Sequence, residues 1–143
     1  MEEWKFLICA ANQAFDGSYL DNALTLYNRA LDLGKKNAAN NLNKNPDMSI
    51  ASVTICYFNI ADTYLLMKQP ATATQYLRDC FDYLKELERQ RDLETEAQLA
   101  ILRAHRRCYR EWLTFRERLS SFNQFEPAIQ ALENQLTHQA NIH

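Results

Sequence analysis

Between positions 103 and 118 the chain carries six arginines and two glutamates, four net positive charges in a protein whose formal net charge is −2. On a helix turning 100° per residue, Arg103, Arg106, Arg107 and Arg110 fall within an arc of about 100°. A guanidinium fork grips a carboxylate or phosphate at two points, so a face built this way can hold an anion. The plainer alternative is a solvated helix surface. Other reactive side chains are sparse. His105, His138 and His143 have no metal-ligand spacing with one another or with cysteine. Cys9, Cys56, Cys80 and Cys108 stand 47, 24 and 28 residues apart, so no Cys-x-x-Cys pair exists. Each cysteine lies in an apolar run and is expected to be a small buried hydrophobe in a reducing compartment. His105 flanks an apolar helix face and is expected to be a partly buried structural histidine. No metal, no cofactor and no catalytic set is expected.

Composition narrows the scaffold that must position the arginines. The chain has 143 residues but only two glycines, Gly17 and Gly34, and three prolines, Pro46, Pro70 and Pro127. Ordinary usage would give roughly ten and seven. Sandwiches, barrels and doubly wound sheets need many tight turns, and those turns need these residues. Every glycine-rich phosphate loop is excluded for the same reason. The expected class is all-α, with residues 1–143 as one domain. The balanced charge argues against a general nucleic-acid or membrane surface. The start Met-Glu-Glu-Trp-Lys shows no secretory pattern, and no apolar run is expected to approach the roughly 20 residues that cross a bilayer. A cytoplasmic protein is expected.

Apolar residues at three- and four-residue steps mark about six helices. Residues 4–16 carry Trp4, Leu7, Ile8, Ala11, Ala14 and Phe15. Asp16-Gly17-Ser18 reads as a turn, and a second helix follows with Ala23, Leu26, Tyr27, Ala30, Leu31 and Leu33. Residues 37–49, with five asparagines and a proline, read as a loop and as the best candidate for a mobile segment. A third helix, 50–67, carries Val53, Tyr57, Ile60, Ala61, Tyr64 and Leu65. A fourth begins at Pro70 and carries Ala73, Tyr76, Leu77, Cys80, Phe81, Leu84 and Leu87. Polar residues 85–96 read as a solvated extension or a helical corner. The fifth and longest helix, about 95–121, places Ile101, Ala104, Cys108, Trp112, Phe115, Leu119 and Phe122 on one face. Asn123-Gln124 breaks it, and Pro127 opens a last helix with Ala128, Leu132 and Leu136. Three antiparallel pairs result, at about 4–36, 50–90 and 95–138.

The middle pair resembles the tetratricopeptide repeat (TPR). Tyr57, Ile60, Ala61 and Tyr64, followed by Ala73, Leu77 and Cys80, match its signature spacing. Small residues let the two helices approach, and large ones fill the space between them. The first pair resembles a degenerate copy through Leu7, Ala10, Ala11, Ala14, Ala23, Tyr27 and Ala30, with Gly17 one residue out of place, as in a slightly longer turn. The third matches at Trp112, Phe115, Leu119, Ala128 and Leu132, but Arg116 and Gln135 stand where small residues belong. The copies lie 50 and 55 residues apart rather than about 34. The whole is similar to a short, free-standing TPR-like protein of the kind found in bacteria.

That resemblance implies a right-handed stack of three helical hairpins whose first helices line a concave peptide-binding groove. It places Lys5, Ile8 and Asn12, then Phe58, Asn59 and Asp62, then Arg110, Leu113 and Thr114 in that groove. A straight fifth helix would extend it with Arg103, Arg106 and Arg107. Asn12, Asn59 and Arg110 match three positions of the carboxylate clamp some TPR proteins use, while Ile8 and Thr114 remove two of its cations. The expected function is a non-catalytic adaptor or scaffold that binds a protein or peptide segment of acidic character. A secretion-type chaperone is the alternative within binding. RNA or nucleotide-phosphate binding through Arg103–Arg110 is the alternative from another class. Open solenoid ends, or the long helix, leave room for a homodimer.

Overall fold

The computed structural model describes residues 1–122 and 126–142. Six α-helices follow one another, α1 (Glu2–Asp16), α2 (Leu20–Asn41), α3 (Pro46–Leu66), α4 (Pro70–Glu88), α5 (Thr95–Leu119) and α6 (Glu126–Ile142), with no strand among the described residues. Each helix packs on the next, and α3 also packs on α5. The architecture is therefore all-α and built of helical hairpins, with α3 touching α2, α4 and α5. Asn123, Gln124 and His143 lie outside the described residues, as do the side chains of Pro127 and Ala128.

Two hairpin turns follow one template, fifty positions apart. The amides of Ser18 and Tyr19 donate to the carbonyls of Phe15 and Ala14, and those of Lys68 and Gln69 donate to Leu65 and Tyr64. This pairing closes a helix end around one left-handed residue. That residue is Ser18 in the first turn (φ 66°) and Lys68 in the second (φ 62°). Gly17 has φ −84° and so leaves its conformational freedom unused. The turn is no longer than its counterpart, since both connections span three residues, 17–19 and 67–69.

The asparagine-rich segment is mostly helix rather than loop. α2 runs on to Asn41 and α3 starts at Pro46, leaving residues 42–45 between them. Ala38 and Leu42 are buried, and this burial outweighs asparagine's low helix propensity. The amides of Asn40 and Asn41 bond back to the carbonyls of Lys36 (3.3 Å) and Asn37 (2.9 Å). The remaining turn is tied down. The Asn43 side chain donates to the carbonyl of Asp92 (3.0 Å) and accepts from the amide of Glu94 (2.9 Å), which clips it to the α4–α5 connection.

The core runs continuously through the array. Its largest fully buried side chains include Ile60, Phe81, Leu84, Ile101 and Trp112. α2 buries the small residues Ala23, Ala30, Gly34 and Ala38, α3 buries Ser49 and Ser52, and Gly34 meets Ser52 where the two helices touch. The buried hydroxyls bond to backbone carbonyls, Ser52 to Ser49 (2.8 Å) and Ser49 to Asn41 (3.1 Å), so their burial costs little. Contrary to the sequence expectation, α3 is long and apolar enough to cross a membrane by length and composition, but 67% of that window is buried within the fold, as in a core helix.

Gly34 marks the tightest approach. A Cβ there would lie 2.6 Å from the carbonyl oxygen of Ser52 and 3.0 Å from its carbon, both backbone atoms. Gly34→Ala is expected to destabilise the fold by about 1–2 kcal/mol, the overpacking cost exceeding alanine's helix gain. Thermal unfolding followed by circular dichroism checks it, and an unchanged or raised Tm would contradict the close approach.

Candidate functional site

Two clefts open between α3 and α5, one at each end of their contact. The first is a groove of about 250 Å³ lined by Asp47, Ile50, Ala51 and Thr54 from α3 and by Ala100, Arg103, Ala104, Arg107 and Arg110 from α5. Its floor is small or apolar: Ile50, Thr54 and Ala100 are buried, and Ala51 and Ala104 half-buried. Arg103, Arg107 and Arg110 line one wall at i, i+4 and i+7, a spacing that keeps them on one helix face. Arg103 donates through Nη2 to both carboxylate oxygens of Asp47, at 3.0 and 3.2 Å. Arg107 and Arg110 are exposed and have no ion-pair partner among the described residues.

The second cleft is small, about 70 Å³, and lined by Phe58, Asp62, Leu77, Glu111, Thr114, Phe115 and Arg118. Arg118 bonds Asp62 at 2.7 Å across it. Two carboxylates face one guanidinium here, so this end offers an external anion nothing. Burial raises the Asp62 carboxyl above its ordinary value, against the opposing pull of Arg118.

The residues expected to share one groove are thus divided. Arg103, Arg107 and Arg110 meet in the first cleft, while Phe58, Asp62 and Thr114 meet in the second. Phe58 is buried, so it forms wall rather than open surface. Asn59 is half-buried, and its carbonyl accepts the Thr63 hydroxyl at 2.7 Å. Lys5, Ile8 and Asn12 line neither cleft. Lys5 faces Glu2 at 4.0 Å on the surface. Ile8 packs partly against the core. The Asn12 side-chain Oδ1 accepts the Tyr27 hydroxyl at 2.5 Å, and burial pushes that phenol up to about 12, helped by Asp16, Asp62 and Cys56. Arg106 and Leu113 lie exposed on the outer side of α5, away from both clefts.

Asp47 was missed because residues 37–49 read as a loop, although Pro46 followed by an acid is an ordinary helix start. Arg116 bonds Glu133 of α6 at 2.9 Å, so the arginine in the place of a small residue sits at the edge of the third pair. Trp112, Phe115, Leu119, Leu132 and Leu136 fill that pair's interior.

His105 is buried on α5, edge-on to Phe81, with Nε2 2.6 Å from Glu88 Oε1 at the end of α4. Among the described residues no group of three or more His, Cys, Asp and Glu side chains could hold a metal ion. Cys56, Cys80 and Cys108 are buried as expected, but Cys9 is exposed on the outer face of α1. Burial pushes the Cys56 thiol up to about 12. It raises Cys80 well above its usual range too, where a hydrogen bond with Cys108 adds to the shift.

A family model described as "Protein of unknown function (DUF2753)" matches residues 2–143, so the chain belongs to that family. No curated protein and no solved structure matches it.

Two measurements check this geometry. The native protein is expected to react rapidly with a thiol reagent at one of its four cysteines, Cys9, and at the other three only on unfolding. A second rapid thiol would contradict the burial. For Asp62, the folded state binds the carboxyl proton more tightly than the unfolded chain does. Its contribution to stability is full below the ordinary value of 3.8 and is lost as pH rises through the raised value. Asp62→Asn should therefore flatten that part of the stability–pH curve, measured by urea unfolding between about pH 3 and pH 6.

Proposed function

We propose that this protein is a non-catalytic, cytoplasmic adaptor of TPR-like build, which holds an acidic protein segment in the groove between α3 and α5. One observation carries the reading. Arg107 and Arg110 line a groove with a small, apolar floor and form no ion pair among the described residues. A guanidinium beside apolar surface is weakly hydrated and ready for a carboxylate. The TPR-like part rests on the repeated turn template and on the small residues Ala11, Ala23, Ala30, Ala61, Ala73 and Cys80, all without exposed surface at the helix contacts.

The arginines divide by what they already hold. Arg103 is engaged by Asp47, Arg116 by Glu133 and Arg118 by Asp62. The stripe is therefore not a uniform cationic surface of the kind that tracks a phosphate backbone. Arg107 and Arg110, which form no ion pair among the described residues, sit together over one groove, which suits a local acidic contact.

An Arg107→Glu/Arg110→Glu protein is the test, after circular dichroism shows that it folds like the native chain. Native protein immobilised in bacterial lysate is expected to retain one or more partners that the variant loses. Retention should weaken only modestly between low and physiological salt, because apolar contact contributes. Identical retention by both proteins, or retention of nuclease-sensitive material that disappears steeply with salt, would overturn the reading.

A further inference from the structure

The arginine groove does not stop at its own edge. Asp47 and Ala51 line it and also line the adjoining surface, which is completed by Asn45, Pro46 and Met48. Met48 is 45% exposed at the start of α3, with the half-buried Pro46 and Ala51 beside it. An open methionine next to proline and alanine is an apolar ledge, and methionine adapts its shape to whatever side chain it meets. Methionine and arginine are both enriched in protein–protein interfaces. Between the ledge and the unengaged arginines stands Asp47, with its carboxylate on Arg103 at 3.0 and 3.2 Å. The groove therefore already accepts one carboxylate, its own.

Resting on the adaptor reading above, we infer that ledge and groove form one composite docking surface for a short helical segment with an apolar residue beside two acids, and that Asp47 limits its affinity by occupying Arg103. Charge complementarity selects the occupant. Arg107 and Arg110 are three residues apart, a rise of about 4.5 Å along α5. Two acids one helical turn apart on a partner match that rise. The partner's apolar side chain then falls on Met48. A second copy of this chain fits poorly, because a two-fold contact through this surface would set arginine against arginine. A phosphate backbone would leave the ledge unused and would meet Asp47 as a like charge.

Two fluorescein-labelled synthetic peptides serve as probes. One is helix-prone, with two glutamates three positions apart and one leucine in the adjoining turn; the other has serine in place of that leucine. Binding to the full chain is read by fluorescence anisotropy. The native protein should prefer the leucine peptide by about tenfold. In Met48→Ser that preference should shrink to about twofold or less, with the serine peptide unaffected. Asp47→Asn should tighten both peptides by about threefold, since an exposed ion pair is weak and its release frees Arg103. Equal binding of the two peptides to the native protein, or a preference that survives in Met48→Ser, would overturn the ledge while leaving the adaptor reading intact. Unchanged or weaker binding to Asp47→Asn would overturn the role given to Asp47. Peptide binding that is the same in Arg107→Glu/Arg110→Glu would overturn both readings.

Discussion

The backbone carbonyl of Ser52 is the point on which the array turns. It accepts the indole N–H of Trp4 at 2.9 Å, across 48 residues of sequence. It also lies against Gly34, where no side chain would fit. In one place α1 is hydrogen-bonded to α3 and α2 approaches α3 at backbone distance. A buried carbonyl already used by its own helix has a second lone pair, and the indole takes it instead of leaving it dry. α3 is thereby fixed on one side, and its other faces receive α4 and α5. The position of four arginines follows from this, because α5 meets α3 directly and carries Arg103, Arg107, Arg110 and Arg118 along the line of contact.

The ion pairs between α3 and α5 do not hold the two helices together. Asp47 with Arg103 is an exposed pair and Asp62 with Arg118 a partly exposed one, each contributing about 1 kcal/mol at most. The burial of Ile101, Cys108, Trp112 and Phe115 along the same helix outweighs them several-fold. The charges at this seam are therefore close to neutral for stability. Arg107 and Arg110 cost little where they stand, since both are exposed to water. Residues that the fold does not need, in a groove that the fold creates, are the ones a binding reading should use.

Much of this was legible in the sequence. The scarcity of glycine and the 3.6-residue periodicity gave the class, the six helices and most of the core. The buried face of the fifth helix was read correctly at Ile101, Cys108, Trp112, Phe115 and Leu119. The first miss was local chemistry misjudged against burial. Asparagines between Lys36 and Asp47 signal a loop, but Ala38 and Leu42 lie at helical spacing among them and are buried. Losing the start of α3 hid Asp47 and Met48, and with them half of the groove. A second miss concerns register. The TPR resemblance implies one continuous surface from Lys5 to Thr114, yet direct packing of α5 on α3 buries Phe58 and divides Phe58, Asp62 and Thr114 from the arginines into two clefts, with Lys5, Ile8 and Asn12 in neither. Spacing alone does not show how closely two non-adjacent helices will meet.

The division of the arginines is the part no periodicity could supply. All of them look alike on a helical wheel, and four share one arc. Their fates depend on acids more than 50 residues away for Arg103 and Arg118, and on the last helix for Arg116. Each of these acids lies where helix packing delivers it, so the pattern of filled and open guanidinium groups is a property of the tertiary fold. Arg107 and Arg110, which form no ion pair among the described residues, are adjacent on one turn and border a cleft with a small, apolar floor. At the opposite end of the same contact, Asp62 pairs with Arg118 and Glu111 lines the same cleft, so acids outnumber the guanidinium two to one. The seam therefore carries a gradient, cationic toward the start of α3 and net acidic toward its end. On the adaptor reading proposed above, an acidic segment approaching along the seam would be drawn to the end where Met48 and Pro46 lie, because there Arg107 and Arg110 form no ion pair among the described residues.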